Sequence, residues 1–98
     1  MLVNIIKTYR DVVAICDTEL LGKKFEEGKF QLDVKESFFK GDETSEEKTV
    51  EIMRQMAIED ATFNIIGEKS IKTALSAGII SENEIKKIQE IPFALVLM

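Results

Sequence analysis

The chain has 98 residues, 45% of them hydrophobic and 32% charged, with five Gly, one Pro, one Cys and neither Trp nor His. That length predicts a single domain over 1–98, with enough apolar residues for a real core and too few Gly and Pro for a disordered chain. A lone cysteine excludes an internal disulfide and a zinc site built on thiolates, and the absence of His excludes imidazole acid–base chemistry and Ser-His or Cys-His nucleophile pairs.

Thirteen basic against eighteen acidic side chains give a net charge of −5. That balance argues against non-specific binding to nucleic acid or to an anionic membrane. The opening Met1-Leu2-Val3-Asn4-Ile5-Ile6-Lys7 has neither the basic lead nor the apolar run of a signal peptide. No stretch reaches the roughly 18 consecutive apolar residues of a membrane-spanning helix. A cytoplasmic protein is expected.

In chain order, Leu2–Thr8 and Val12–Cys16 are short β-branched runs that read as a β-hairpin. The second is apolar on both alternating sets, as in a central strand covered on both faces. Cys16 is accordingly expected as a small buried packing residue. Asp17 can cap a helical turn or two over 17–25, in which Leu20, Leu21 and Phe25 form an apolar stripe. Gly22 inside that pattern argues against a longer helix, and Glu26-Glu27-Gly28 is a turn. Phe30, Leu32 and Val34 alternate with polar residues, the pattern of a half-buried strand. Phe38 and Phe39 are expected to close over the core, and 40–43 to be a charged loop.

Thr44 and Glu47 have the spacing of a capping box, opening an amphipathic helix over about 45–58 on Val50, Ile52, Met53, Met56 and Ala57. Ala61–Ile66 reads as a strand. Gly67-Glu68 opens a helix over about 68–77 with Ile71, Ala74 and Leu75 on one face and Gly78 past its end. Ser81 and Glu84 repeat the capping-box spacing before Ile85 and Ile88. Pro92–Met98 is a near-continuous apolar end strand. Strand, helix and strand over 61–98 suggest a βαβ crossover with parallel strands. The fold class is α+β: a mixed sheet flanked by two main helices, with an N-terminal β-hairpin and a C-terminal βαβ unit.

Two polar clusters are candidate sites. Asp17, Glu19, Lys23 and Lys24 follow the expected central strand, and Asn64, Gly67 and Glu68 lie where another strand enters a helix. If those two strands run parallel, both clusters share the edge at which open α/β sheets bind ligands. The plainer account makes Asp17 a cap, Gly67 a turn and the lysines a solvated face. A phosphate loop needs several glycines, and Glu68 stands where the anion would be. Carboxylates at Asp17, Glu19 and Glu68 could hold a hard cation, but no loop has calcium-type spacing. Lys23, Lys24 and Lys29 with Phe25 and Phe30 are a local basic and aromatic concentration, diluted by Glu26 and Glu27.

The run from Cys16-Asp17-Thr18-Glu19-Leu20-Leu21-Gly22-Lys23-Lys24 to Gly28, and on to Leu32-Asp33-Val34, resembles the archaeal family catalogued as domain of unknown function 424. Asn64-Ile65-Ile66-Gly67-Glu68-Lys69-Ser70-Ile71 and the Pro92-containing end strand resemble it too. The resemblance covers nearly the whole chain and implies a small cytoplasmic archaeal protein without an assigned activity. It carries over Asp17, Glu19, Gly22, Lys23, Gly28, Asp33, Gly67 and Glu68, with no chemistry attached to them.

The expected function is a non-catalytic binding module that contacts a protein or a structured RNA through Asp17, Glu19, Lys23, Lys24, Asn64, Gly67 and Glu68. The alternative is a small-ligand enzyme or metabolite binder using Asp17, Glu19, Lys23 and Glu68 in a crevice. A third reading is a homo-oligomer packed through Phe38, Phe39 or the end strand. No catalytic, cofactor or metal residue is assigned.

Overall fold

The protein's structure, a computed structural model, describes residues 1–97. Met98, the last residue of the expected end strand, lies outside the described residues. Among the described residues eight strands and three α-helices follow in order: β1 (Leu2–Ile6), β2 (Val12–Cys16), β3 (Lys24–Glu27), β4 (Phe30–Asp33), α1 (Glu36–Phe39), β5 (Asp42–Glu43), α2 (Glu46–Ile58), β6 (Thr62–Ile66), α3 (Glu68–Ala77), β7 (Lys86–Ile88) and β8 (Ile91–Val96). Six strands form one sheet in the order β5-β1-β2-β6-β8-β7, and β3 and β4 form a separate hairpin.

The sheet is mixed. β1 and β2 pair antiparallel, which is the expected N-terminal hairpin, and β2 pairs parallel with β6, Cys16 standing opposite Ile66. β6 and β8, however, pair antiparallel, with Ile66 opposite Phe93. The expected parallel crossover is corrected here. After α3 the chain first lays down the short β7 and then reverses through Gln89 and Glu90, so β8 enters the sheet from the opposite end. Both turn residues have positive φ, 49° and 66°, the backbone of the tight hairpin turn that normally takes Asn-Gly. The Gln89 N–H donates to Glu27 Oε1 and its side-chain amide to the Glu26 carbonyl, so contacts to β3 hold the turn in place.

Period 2 along the central strands supplies one apolar set to each face. Val13, Ile15, Phe63 and Ile65 pack under α2 and α3 through Met53, Met56, Ile71 and Ala74. Ala14, Cys16 and Ile66 face the other way, beneath Leu20, Leu32, Val34 and Phe39. Both main helices therefore cover one face of the sheet, while the β3–β4 hairpin and α1 cover the other. Cys16 is fully buried, as expected of a packing residue.

Several local expectations shift. The helix over 17–25 shrinks to a 3₁₀ turn at Thr18–Leu20. Gly22 at φ 83° turns the chain away, and Phe25 pairs with Leu32 across the β3–β4 hairpin. Leu32 and Val34 are buried as their alternation requires, but Phe30 at the hairpin tip is exposed. The expected charged loop at 40–43 contains β5, an edge strand on Leu2 and Val3. Gly41 permits that approach, because a Cβ there would lie 2.1 Å from the Val3 carbonyl oxygen. The cap of α2 is Ser45 rather than Thr44: Ser45 Oγ accepts the Lys48 N–H at 3.2 Å, while the Thr44 hydroxyl donates to the Asp42 carbonyl. Gly78 ends α3 in the left-handed region, and Ser81 with Glu84 forms the second capping box. The end strand is only partly sheltered, since Leu95 is 54% and Leu97 73% exposed.

Candidate functional site

The parallel register of β2 and β6 brings Asp17 and Gly67 side by side at the carboxyl ends of the two strands. The Asp17 N–H continues the ladder by donating to the Ile66 carbonyl at 3.0 Å. Gly67 then turns strand into helix at φ 113°, ψ 156°. It has no side chain with which to cap α3. Asp17 supplies the cap from the neighbouring strand. Its Oδ2 accepts the Lys69 N–H at 3.1 Å, and its Oδ1 accepts both the N–H and the hydroxyl of Ser70 at 2.8 Å.

Asp17 is 4% exposed and Ser70 fully buried. The carboxylate thus sits where a helix N-terminus would attract an anion, with the N–H groups and the dipole directed at it. A Cβ on Gly67 would lie 2.3 Å from Asp17 Cγ, so the junction is closed-packed. An external phosphate finds this position filled by the chain's own charge. The sequence suggests Asp17 as a cap for the turn that follows it. That turn receives no bond from the Asp17 side chain, which serves a helix on the far side of the sheet seam.

Around this junction the other expected site residues separate. Glu19 is exposed on the 3₁₀ turn, and Lys23 and Lys24 are exposed where the chain enters β3. Glu68, the first residue of α3, lines an open groove of about 480 Å³ with Ile71, Lys72, Glu82, Ile85 and Lys87. Asn64 lies within β6, between Ala14 and Leu95 on the face away from α2 and α3. The fold joins Asp17, Gly67 and the start of α3 into one contact; Lys23, Lys24 and Asn64 stand outside it.

Glu43 is the rim residue that sequence reasoning does not find. β5 carries it next to the 3₁₀ turn, where its Oε1 accepts the Thr18 hydroxyl at 2.6 Å and its Oε2 the Met1 ammonium at 2.6 Å. The ammonium and then the Thr18 hydroxyl stabilise the charged form, holding this carboxyl below its ordinary range. Nothing in Lys40-Gly41-Asp42-Glu43 signals such a role, because it depends on the edge pairing of β5. The Cys16 thiol is shifted the other way: burial first, and then the charge of Asp17, push it up to about 11. Among the described residues no group of three or more Cys, Asp or Glu side chains is placed to hold a metal ion.

A family model described as a protein of unknown function, DUF424, matches residues 6–98. The chain belongs to the DUF424 family. A crystal structure of an uncharacterized conserved protein from Methanopyrus kandleri has a similar fold, with a TM-score of 0.86 at 24% identity, covering 99% of this chain and 92% of that one. At that identity the likeness speaks for the architecture alone. No curated protein matches the chain. Membership of DUF424 brings no activity with it, so a functional reading rests on the geometry of the rim. Among the described residues, no helix is long and apolar enough to cross a membrane.

Proposed function

We propose that this DUF424 protein is a non-catalytic, archaeal-type binding module that docks a protein partner on the charged rim beside the β2–β6 seam. One observation carries the reading: both oxygens of Asp17, the buried carboxylate at the junction, are engaged by donors from α3, three in all. A carboxylate acting in acid–base or metal chemistry must be free to exchange a proton or accept a cation. Asp17 is committed to the fold. The neighbouring Cys16 thiol is fully buried, and that burial pushes its pKa up to about 11, so it presents little nucleophilic thiolate to a substrate.

What this arrangement supports is recognition by exposed charges on either side of a stiff junction: Glu68 at the start of α3, and Glu19, Lys23 and Lys24 on the segment that leads from β2 into β3. They carry both signs, which suits the mixed surface of a protein. An RNA backbone would meet a net charge of −5. A cytoplasmic setting belongs to the same proposal, since a free thiol suits a reducing compartment.

The test is quantitative affinity capture from a lysate of the source organism, comparing the natural chain with Lys23→Ala/Lys24→Ala and Glu68→Ala, before and after nuclease treatment. The expected result is a defined polypeptide retained after nuclease and lost with the rim variants. Capture unaffected by every rim variant overturns the assignment of this surface, and loss on nuclease treatment points to RNA instead. The alternative of a metabolite-binding crevice is checked by a thermal-shift panel of nucleotides, divalent cations and common metabolites. A ligand at a hundred times its dissociation constant stabilises by about 2.7 kcal/mol, a shift that is easily read.

A further inference from the structure

Along β4 the apolar side chains lose their cover in steps. Val34, just past its root, is 0% exposed, Leu32 8% and Phe30, at the tip, 71%. On β3 only Phe25 is sheltered, and only in part, against the cluster that holds Leu32, Ile88 and Phe93. Among the described residues the β3–β4 hairpin shares no ladder with the six-stranded sheet. Its root is firmly closed. The Gly22 N–H donates to the Val34 carbonyl at 2.8 Å and the Val34 N–H to the Lys23 carbonyl at 2.9 Å, and Leu20 and Val34 are buried beside these bonds.

Gln89 holds the far end. It is the first residue of the β7–β8 turn, and the ladder that pairs Ile88 with Ile91 leaves its N–H without a partner inside that hairpin. The N–H goes instead to Glu27 Oε1 at 2.8 Å, and the side-chain amide to the Glu26 carbonyl at 2.6 Å. A φ of 49° at Gln89 is left-handed backbone that a residue with a Cβ enters at a cost. Both bonds are exposed, so water replaces them at little loss.

We propose that the β3–β4 hairpin is a hinged strap that lifts off β7 and β8 while the rest of the fold stays closed. It turns at its root, where Gly22 has a φ of 83°, and Gln89 is its catch. Lifting it forfeits the burial of Leu32, part of that of Phe25, and two exposed hydrogen bonds. Opening the β2–β6 seam forfeits the main core and the Asp17 contacts as well. The first opening therefore takes far less free energy than the second, and the hairpin forms the low-stability unit of the molecule. What it uncovers is apolar: Ile88, buried in the closed form, and half-buried Phe93. The strap gates a surface that the closed fold conceals. This device goes beyond the docking proposed for the rim and does not depend on it.

Thiol labelling under native conditions tests it. Ile88→Cys sets a thiol beneath the strap, and Cys16 in the same chain reports opening of the seam. A disulfide exchange reagent should label position 88 at least about ten times faster than Cys16, with a weaker dependence on urea, because a smaller surface opens. Glu27→Ala and Gln89→Ala, each of which removes one catch bond, should speed labelling at position 88 about three- to tenfold. Amide exchange in the natural chain repeats the comparison without the new thiol. A lifted two-stranded hairpin does not hold by itself in water, so the β3–β4 amides should exchange at least about ten times faster than those of β2 and β6. One common labelling rate with one urea dependence at both thiols overturns the proposal. So does labelling at position 88 that neither catch variant speeds, or equal protection of the β3–β4 and β2–β6 amides.

Discussion

Asp17 and Ser70 lie 53 positions apart, yet one carboxylate oxygen of Asp17 accepts both the N–H and the hydroxyl of Ser70 at 2.8 Å. This contact fastens the start of α3 to the end of β2 and closes the seam between the two parallel strands. Removing one partner of such a buried group leaves the others without bonds, which costs more than the bond itself contributes. Asp17→Ala should therefore destabilise the protein by about 2–4 kcal/mol, adding a lost helix cap to orphaned donors. Asp17→Asn, which keeps an acceptor oxygen, should cost about 1–2 kcal/mol. Urea unfolding followed by circular dichroism measures both.

Gly67 and Asp17 are coupled sterically as well. Gly67→Ala must accommodate both a φ of 113° and a Cβ 2.3 Å from Asp17 Cγ, for a loss of roughly 2 kcal/mol or more. In Asp17→Ala/Gly67→Ala the carboxylate that blocks the methyl is gone. The double variant should lose less stability than the two single losses added, and a double-mutant cycle in urea reads the difference.

Acid should act through Glu43. Its folded-state carboxyl titrates below the ordinary range because the Met1 ammonium and Thr18 hydroxyl favour the anion. Stability from this group is fully present above the ordinary carboxylate range and falls away as pH drops through the lowered folded value. Glu43→Gln should flatten the acid limb of a stability-versus-pH curve and leave the limb above neutrality unchanged.

The Cys16 thiol should resist modification. It is fully buried and shifted up to about 11, so at pH 8 it is protonated and shielded. A disulfide exchange reagent should label the native protein only as fast as the seam opens, and the urea-unfolded chain at once.

The turn between β7 and β8 offers a stabilising change. Glu90 has φ 66°, a region that Gly enters without steric cost. Glu90→Gly should gain about 0.5–1 kcal/mol, seen as a raised urea midpoint with an unchanged slope. The ion pair it removes, Lys87 to Glu90 at 3.9 Å on the surface, contributes little.

The sequence makes much of this architecture legible. Short β-branched and apolar runs expose β1, β2 and β6, alternation exposes β4, and three- and four-residue spacing exposes α2. Gly67 and Gly78 bracket α3 because a strand-to-helix turn and a helix end both need unusual backbone. Direction is another matter. Pro92–Val96 reads identically whether it runs up or down the sheet, and its true sense depends on β7, three residues hidden in Lys86-Lys87-Ile88, and on a turn without Gly. The site divides the same way. That Asp17 and Gly67 meet follows from two strands ending side by side, but which helix Asp17 caps is a tertiary fact. Glu43 acquires its partners only through edge pairing, and nothing in the composition of its segment announces it.

The parallel seam also has a kinetic consequence. The chain leaves it at Cys16 and does not return until Thr62, so its closure carries the entropy cost of a long loop, whereas the hairpins and α2 can form from near neighbours. The Asp17 carboxylate, which joins the two sides only once they are in register, then acts as a latch on a slow, non-local step of assembly. Variants at Asp17 should accordingly speed unfolding far more than they slow refolding.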